Sequence, residues 1–475
     1  MNILAQPYMV EDILKSLPPE TFVDLANAIR TATREKADVV IVLDDDPTGT
    51  QTIYDVPVLT DWSEENIRTE LALQTPMFYI LTNSRSISRE EAQDLAFEIG
   101  QNIVKASRAT GKRPFVISRS DSTLRGHYPW ELDALELGME IQNGVQIIIP
   151  AFFEGGRYTI GDVHFVKRED LLVPASETPF AFDKVFGYRS SNLKEWVEEK
   201  TEGFVHAEDV ISFSIKELRN GTLHSIVDKL DHCEPGSVCI VNAAAHSDLQ
   251  TFTLALLMSK IEPVCRSAAS FVAALAALPP KNLLTNEELI SPNAYGGLII
   301  VGSYVPQTTR QLDHLMANTS MEFLSVDVRE ILQRRRSVKP LLEQYAAKIN
   351  RQLESGRDLV VYTSRELIAS QAPKENLKIG RKVSDFLTGL VSAIKVRPRY
   401  IMTKGGITSS DIAIKSLNVR RGTVIGQVLP GIPVWKLGPE SKFPGLSYII
   451  FPGNVGTDDA ITQAAGKLLP VHFSI

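Results

Sequence analysis

Val39-Val-Ile-Val-Leu-Asp-Asp-Asp-Pro-Thr-Gly-Thr-Gln-Thr52 is the stretch on which the reading of this chain turns. Five apolar residues, four of them β-branched, predict a buried strand. Asp44, Asp45 and Asp46 end it abruptly, and Pro47 with Gly49 imposes a turn. In α/β proteins ligands bind at the carboxyl ends of parallel strands. Three acids at such an end repel one another unless a cation or a polyhydroxylated ligand shares the space. The alternative is a solvated turn rich in Asp, Thr and Gly, and the surrounding sequence has to decide between them.

The same plan recurs along the first half. Residues 62–74 read as a helix, and 77–86 as an apolar strand ending in Thr82-Asn-Ser-Arg-Ser86. Ser88-Arg-Glu-Glu91 is a capping box that opens a helix to about residue 108. Residues 113–127 are a strand running into Arg119, Asp121, Ser122, Thr123, Arg125, Gly126 and His127, with a helix from Pro129. A fourth strand follows at 145–150 and a further one at 237–243. Strand, polar turn and helix in repetition predict a parallel sheet wound with helices. Residues 155–190 read as an irregular, aromatic flap, and the Ala-rich run at 266–278 as a helix closing the domain. The strand ends collect Asp45, Asp46, Arg85, Asp121 and Arg125, a mixed-charge set suited to a small anionic, hydroxylated ligand.

The second half repeats the logic with glycine at the turns. Strands at 297–303, 358–364, 400–404 and 448–452 precede Gly302-Ser303, Lys404-Gly-Gly-Ile-Thr408 and Pro452-Gly-Asn-Val-Gly456. Glycine lets backbone N–H groups approach a ligand, and a following helix N-terminus favours negative charge, so the set reads as a phosphate cradle.

A chain of 475 residues predicts two domains: a helical extension over 1–35, a first domain over 36–280, a linker over 281–296 and a second domain over 297–475. The net charge of −7 and the lack of a long Lys/Arg block argue against a nucleic-acid partner. No apolar run reaches the length of a membrane span, and three cysteines without metal spacing point to a reduced, cytoplasmic setting. A homodimer is a common assembly among soluble enzymes.

Neither a Walker A loop nor Gly-x-Gly-x-x-Gly occurs, and His-Glu-x-x-His and Gly-x-Ser-x-Gly are missing. His127 reads equally as a ligand contact or a packing residue. Asp44-x-Asp46-x-Thr48 after an apolar strand fits the aspartyl-phosphate motif of haloacid-dehalogenase-type phosphatases, with Asp44 as nucleophile and Asp46 as acid/base. Thr82 and Asp458-Asp459 would have to serve as the later motifs, and that reading gives Asp121-Ser-Thr-Leu-Arg125 and Lys404-Gly-Gly406 no work.

Asp45-Asp-Pro-Thr-Gly49, Asp121-Ser-Thr-Leu-Arg-Gly126, Lys404-Gly-Gly-Ile-Thr408 and Pro452-Gly-Asn-Val-Gly456 occur in an order that resembles the four-carbon acid sugar kinase family. That family includes D-threonate, D-erythronate and 3-oxo-tetronate kinases. The resemblance runs from about Lys36 over almost the whole chain. Pro47 and Thr50 stand where the family commonly has Leu and Ala, and Pro452 and Val455 where it has Ser and Phe, which suits a divergent branch. The resemblance implies two α/β domains, one for substrate and one for nucleotide, with the active site in the cleft between them. It implies ATP and Mg2+ as cofactors, with the phosphates against Ser303, Lys404, Gly405, Gly406, Ile407, Thr408 and Gly453. The sugar acid would lie on the first domain among Asp45, Thr48, Ser122 and Thr123, its carboxylate on Arg85 or Arg125. Asp46 and Asp121 are both candidates for the catalytic base, and no metal ligand is assigned. A catalytically dead sugar-acid sensor is the remaining alternative; the retained acids and glycine turns weigh against it.

Overall fold

The structure is a computed structural model that describes residues 6–20, 23–279, 281–290, 294–303, 305–333, 337–364, 373–453 and 455–469. The chain divides into two compact units, Met1–Ile53 with Asp61–Pro280, and Tyr54–Thr60 with Lys281–Ile475. Each is an α/β unit built on its own run of parallel strands.

In the first unit seven parallel strands lie in the order Ile211–Phe213, Val238–Val241, Val145–Ile149, Pro263–Ser267, Pro114–Arg119, Val39–Asp44, Met77–Leu81. Every residue of Val39–Asp44 is buried, as a central strand covered on both faces requires. From Val39–Asp44 the chain first moves outward to Met77–Leu81 and then crosses back to Pro114–Arg119 on the other side. The strand order therefore reverses beside Asp44, which is where doubly wound sheets open a ligand crevice. The capping box forms as expected: Ser88 and Glu91 satisfy each other's backbone N–H groups and open Arg89–Thr110, which ends at Gly111 in the left-handed conformation.

Three expectations for this unit need correction. Residues 155–190 are irregular only from Ala175 onward. Arg157–Ile160, Val163–Arg168 and Leu171–Pro174 form an antiparallel sheet, turned at Gly161-Asp162, where both residues have positive φ. The N-terminal extension is not purely helical, because Tyr8–Met9 adds a strand to that sheet before the helix Val10–Lys15. Arg266 lies in a strand, not a helix: Pro263–Ser267 sits centrally between Val145–Ile149 and Pro114–Arg119, and the helix is Ala269–Ala276.

In the second unit five parallel strands lie in the order Ser447–Phe451, Tyr400–Lys404, Leu298–Val301, Leu359–Thr363, Glu322–Val326. Ile432–Leu437, Arg421–Leu429 and Val56–Leu59 extend the sheet antiparallel beyond Ser447–Phe451. Val56–Leu59, expected in the first domain, thus pairs with Arg421–Val424 in the second unit. The stretch 281–296 is not a bare linker either: Leu284 and Leu289 are buried in the core with Ile299, Leu312 and Ile461. Among the described residues no helix is long and apolar enough to cross a membrane.

Candidate active site

The first unit gathers its charges at the carboxyl ends of three adjacent strands. Asp44 and Arg119 are register partners across Val39–Asp44 and Pro114–Arg119, so their side chains meet, Nη1 to Oδ1 at 3.3 Å. Arg85 enters from the turn after Met77–Leu81. Its three nitrogens reach Asp45 Oδ2 at 3.3 Å, Asp46 Oδ2 at 2.5 Å and Asp121 Oδ1 at 3.0 Å. Arg125 forks onto Asp121, Nε to Oδ2 at 2.9 Å and Nη2 to Oδ1 at 3.3 Å. The three consecutive aspartates and Asp121 are therefore laced together by Arg85, Arg119 and Arg125.

Their ionisation differs with their surroundings. Burial pushes Asp44 up to about 8, only partly offset by Arg119. Burial also raises Asp45 against the pull of Arg85 and Arg119. For Asp46 burial works upward as well, but Arg85 and the two Thr48 hydrogen bonds outweigh it and hold the carboxyl low. Asp121 behaves likewise, driven well below the usual range by Arg125 and Arg85 in spite of burial. Asp46 and Asp121 are thus anions, whereas Asp44 is a neutral acid near neutrality.

The loop carrying Asp121 is propped from behind. Leu124 adopts φ +68, a conformation an L residue avoids, and its side chain is buried. The carbonyls of Ser122, Thr123 and Arg125 accept from His164 Nε2 at 2.8 Å, Tyr188 Oη at 2.8 Å and Arg266 Nη2 at 3.0 Å. His164, whose pKa burial lowers to about 4, is the neutral tautomer with its proton on Nε2, leaving Nδ1 to accept from Thr159. His164 comes from the antiparallel sheet and Tyr188 from the residues after it, the stretch read from sequence as a flap, whereas Arg266 comes from the central strand Pro263–Ser267. His127 packs, with Nε2 on the Ser84 carbonyl at 3.1 Å and its ring edge-on to Phe186.

In the second unit Gly302-Ser303, Gly405 and Pro452-Gly453 follow Leu298–Val301, Tyr400–Lys404 and Ser447–Phe451, three neighbours in the sheet. They converge on Ser303. A Cβ added to Gly405, which has φ +116, would lie 3.3 Å from Ser303 Cβ, and one on Gly453 would lie 3.5 Å from Ser303 Oγ. Gly302 packs so closely on Thr408 that a Cβ would meet its Oγ1 at 2.6 Å. Thr308 Oγ1 ties the set together, donating to the Gly453 carbonyl at 3.1 Å. Gly406 and Thr408 are half-buried and Ile407 is exposed. Asn454 lies outside the described residues.

Lys404 is placed differently from a phosphate contact on the surface of a turn. It is buried, its Nζ donates to the Pro452 carbonyl at 2.6 Å and rests 4.0 Å from the Phe451 ring centre, and burial lowers its pKa to about 7. Thr123 is likewise buried, with its hydroxyl committed to Asp121. Ser122 is buried as well, whereas Thr48 stays half-buried beside Asp46.

The phosphatase constellation is not assembled. A Cβ on Gly49 would fall 2.1 Å from Asp44 Oδ2, so the turn presses directly on that carboxyl, which is 1% exposed. A nucleophile needs access that Asp44 lacks. Asp458 is paired with Arg310 at 2.9 Å and Asp459 is hydrogen-bonded to Thr457 and Gln463. Among the described residues no three His, Cys, Asp or Glu side chains converge to hold a metal ion, and the clustered aspartates already have arginines between them. Paired in this way, the clustered aspartates of the first unit are not an open metal site.

Residues 40–275 match a family of sugar-binding N-terminal domains and residues 298–461 a family of nucleotide-binding C-terminal domains. Among solved structures, a Haemophilus influenzae protein of the DUF1537 family is 18% identical, with 90% of this chain and 100% of that one covered at a TM-score of 0.59. A candidate tRNA synthase from Salmonella typhimurium LT2 is 16% identical, with 90% and 98% covered at a TM-score of 0.66. At these identities the likeness is one of fold. Comparison with curated proteins finds no match.

Proposed function

Because the chain belongs to the four-carbon acid sugar kinase family, with its sugar-binding and nucleotide-binding domains in that order, we propose that it transfers the γ-phosphoryl group of ATP to a four-carbon sugar acid. The acceptor is a hydroxyl, the terminal 4-OH, of an acid such as threonate, erythronate or 3-oxo-tetronate. The observation that carries this reading is the convergence of three glycine turns at the ends of three adjacent parallel strands around Ser303. Leu298–Val301 and Tyr400–Lys404 flank the point where that sheet's strand order reverses, which is the favoured place for a phosphate-bearing ligand. Ser303, Gly405, Gly406, Ile407, Thr408 and Gly453 would line the phosphates. Lys404 would act from below, holding the Pro452-Gly453 turn rather than touching ATP. Magnesium would enter as part of the substrate, carried on the nucleotide's phosphates.

On the first unit the two candidate bases separate. Both oxygens of Asp121 are filled, by Arg85 and Arg125 on one and by Arg125 and Thr123 on the other. Asp46 commits Oδ1 to Thr48, but Oδ2 meets Arg85 alone, and its side chain is 19% exposed. Asp46 is therefore the residue we assign to accept the hydroxyl's proton, with Asp45 and Asp121 holding Arg85 in place. A weakly basic carboxylate suffices, because phosphoryl transfer depends on positioning and charge neutralisation more than on proton abstraction.

The test is ATP consumption by the purified protein against a panel of four- and five-carbon sugar acids. ADP should form only when a four-carbon acid is present. Phosphate release from sugar phosphates without ATP, or ATP hydrolysis indifferent to the acid, would overturn the assignment.

A further inference from the structure

Five arginines surround the aspartate centre, and four are already committed. Arg85 serves Asp45, Asp46 and Asp121; Arg119 serves Asp44 and Asp45; Arg125 serves Asp121 and, at 3.6 Å, Asp183. Arg266 is 3% exposed, lies over the Tyr128 and Trp196 rings, and donates to the Arg125 carbonyl. Arg157 differs in combining two features. Like Arg266 it has no carboxylate within salt-bridge distance among the described residues, and like Arg119 its buried Nε has no hydrogen-bond partner; its Nη1 donates to the Gly155 carbonyl. It nevertheless belongs to the centre: its guanidinium lies 5.7 Å from the middle of the Phe180 ring, and the guanidinium of Arg125 lies 5.1 Å from the same ring.

We propose that Arg157 anchors the carboxylate of the acid substrate, its guanidinium held against Phe180, the ring that Arg125 also meets. The substrate's identity as a sugar acid rests on the kinase reading above; the anchoring itself does not depend on phosphoryl transfer. A guanidinium with one buried, unmatched N–H is costly until an anion meets it, and a carboxylate matches its fork with two parallel hydrogen bonds. Burial raises the carboxyl pKa values of Asp44, to about 8, and of Asp45, which leaves the arginines around them less than fully neutralised. Burial also lowers the pKa of Arg157, with Asp121 the neighbour that works against it, as expected of a cation whose counter-ion arrives with the ligand. The hairpin beginning at Arg157 would in this way select acids over neutral sugars.

The experiment compares wild type, Arg157→Met and Arg157→Lys with D-erythronate and D-threonate, and with erythritol and threitol as uncharged counterparts. Losing the fork should raise the KM for the acids by about 30-fold while leaving kcat and the KM for ATP within about threefold. The preference for acid over tetritol should fall by the same factor, and Arg157→Lys should lie between the two. An acid KM for Arg157→Met within about threefold of wild type would overturn the proposal; should that variant not fold, an Arg157→Lys KM equal to wild type would do so. Calorimetric titration of D-erythronate and D-threonate without ATP separates this from the kinase reading. If wild type binds an acid yet turns nothing over, the kinase reading falls, and weaker binding by Arg157→Met still supports the anchor. Equal binding by the variant, or no acid binding by wild type, removes Arg157 from the site.

Discussion

Replacing Arg85 by Met would strand three carboxylates at once, because its nitrogens reach Asp45, Asp46 and Asp121 within 3.3 Å. Removing one partner of a buried ion pair costs about 3–5 kcal/mol, since the other charge stays behind uncompensated. The Arg85 side chain keeps 17% of its surface in water, which screens part of that, so about 3 kcal/mol is the expected loss near pH 8. The pH dependence carries the sign of the argument. In the wild type Asp46 and Asp121 sit below their ordinary value, so their contribution is present above the unfolded pKa of about 3.9 and is lost as pH falls through the lower folded values. Without Arg85 the carboxyl pKa values rise, protonation relieves the repulsion, and the variant's deficit should shrink between pH 8 and pH 5. Urea denaturation followed by tryptophan fluorescence reads this, because Trp62, Trp130 and Trp196 belong to the first unit and Trp435 alone to the second. A midpoint lower by about 1 M at pH 8 is expected for a unit of this size. A deficit below about 0.5 kcal/mol, or one equal at the two pH values, would refute the idea that Arg85 is the counter-ion holding the centre together.

Asp46→Asn should lower kcat by about 10³ and lose the stability of one ion pair with Arg85, whereas Asp121→Asn should cost more stability, through its pairs with both Arg85 and Arg125. Equal kinetic effects with Asp46→Asn the less stable variant would reverse the roles assigned to the two. Gly405→Ala combines φ +116 with a Cβ 3.3 Å from Ser303 Cβ, so steady-state assays should show an ATP KM raised by about tenfold and an acid KM unchanged. Burial holds the Lys404 pKa near about 7, so above that pH the folded state carries the neutral amine while the unfolded chain binds a proton. Stability should therefore rise from pH 7 towards pH 10, and calorimetric scans of Lys404→Met should show that rise flattened.

The parallel strands were legible because a strand buried on both faces is a continuous apolar run with an abrupt polar end, as at Val39–Asp44 and Ser447–Phe451. Pro263–Ser267 escaped that pattern. It holds Arg266 and Ser267 among buried neighbours and runs straight into alanines, so locally it looks like the start of a helix. Only pairing with Pro114–Arg119 and Val145–Ile149, remote in sequence, makes it a strand. Two hairpins did leave a signal: Gly161-Asp162 and Pro430-Gly431 each separate runs of alternating residues, Arg421–Leu429 being buried at every second position. Aromatic density around the first hid it. The glycine turns and acids of the candidate site stood out by residue type alone. Arg157, Tyr188 and His164 did not, because what places them at the Asp121 loop is a sheet built tens of residues downstream.

The run Asp44-Asp45-Asp46 shows why residue type could not assign roles. Asp44 is the last residue of its strand, opposite Arg119, and the turn Pro47–Thr50 folds back until Gly49 rests on its carboxyl. Pro47, at the first position of that turn, sets φ for the fold-back, and a side chain at residue 49 would prevent it. Sealing Asp44 from water pushes it to about 8 and removes it as an anion. The same turn begins at Asp46, whose side chain accepts from the Thr48 N–H at 2.8 Å and is thereby fixed with its other oxygen towards Arg85. Asp45, between them, accepts the Asp121 N–H at 3.1 Å and joins the two strand ends. One tight turn thus makes a neutral acid of the first aspartate, a strut of the second and an accessible anion of the third.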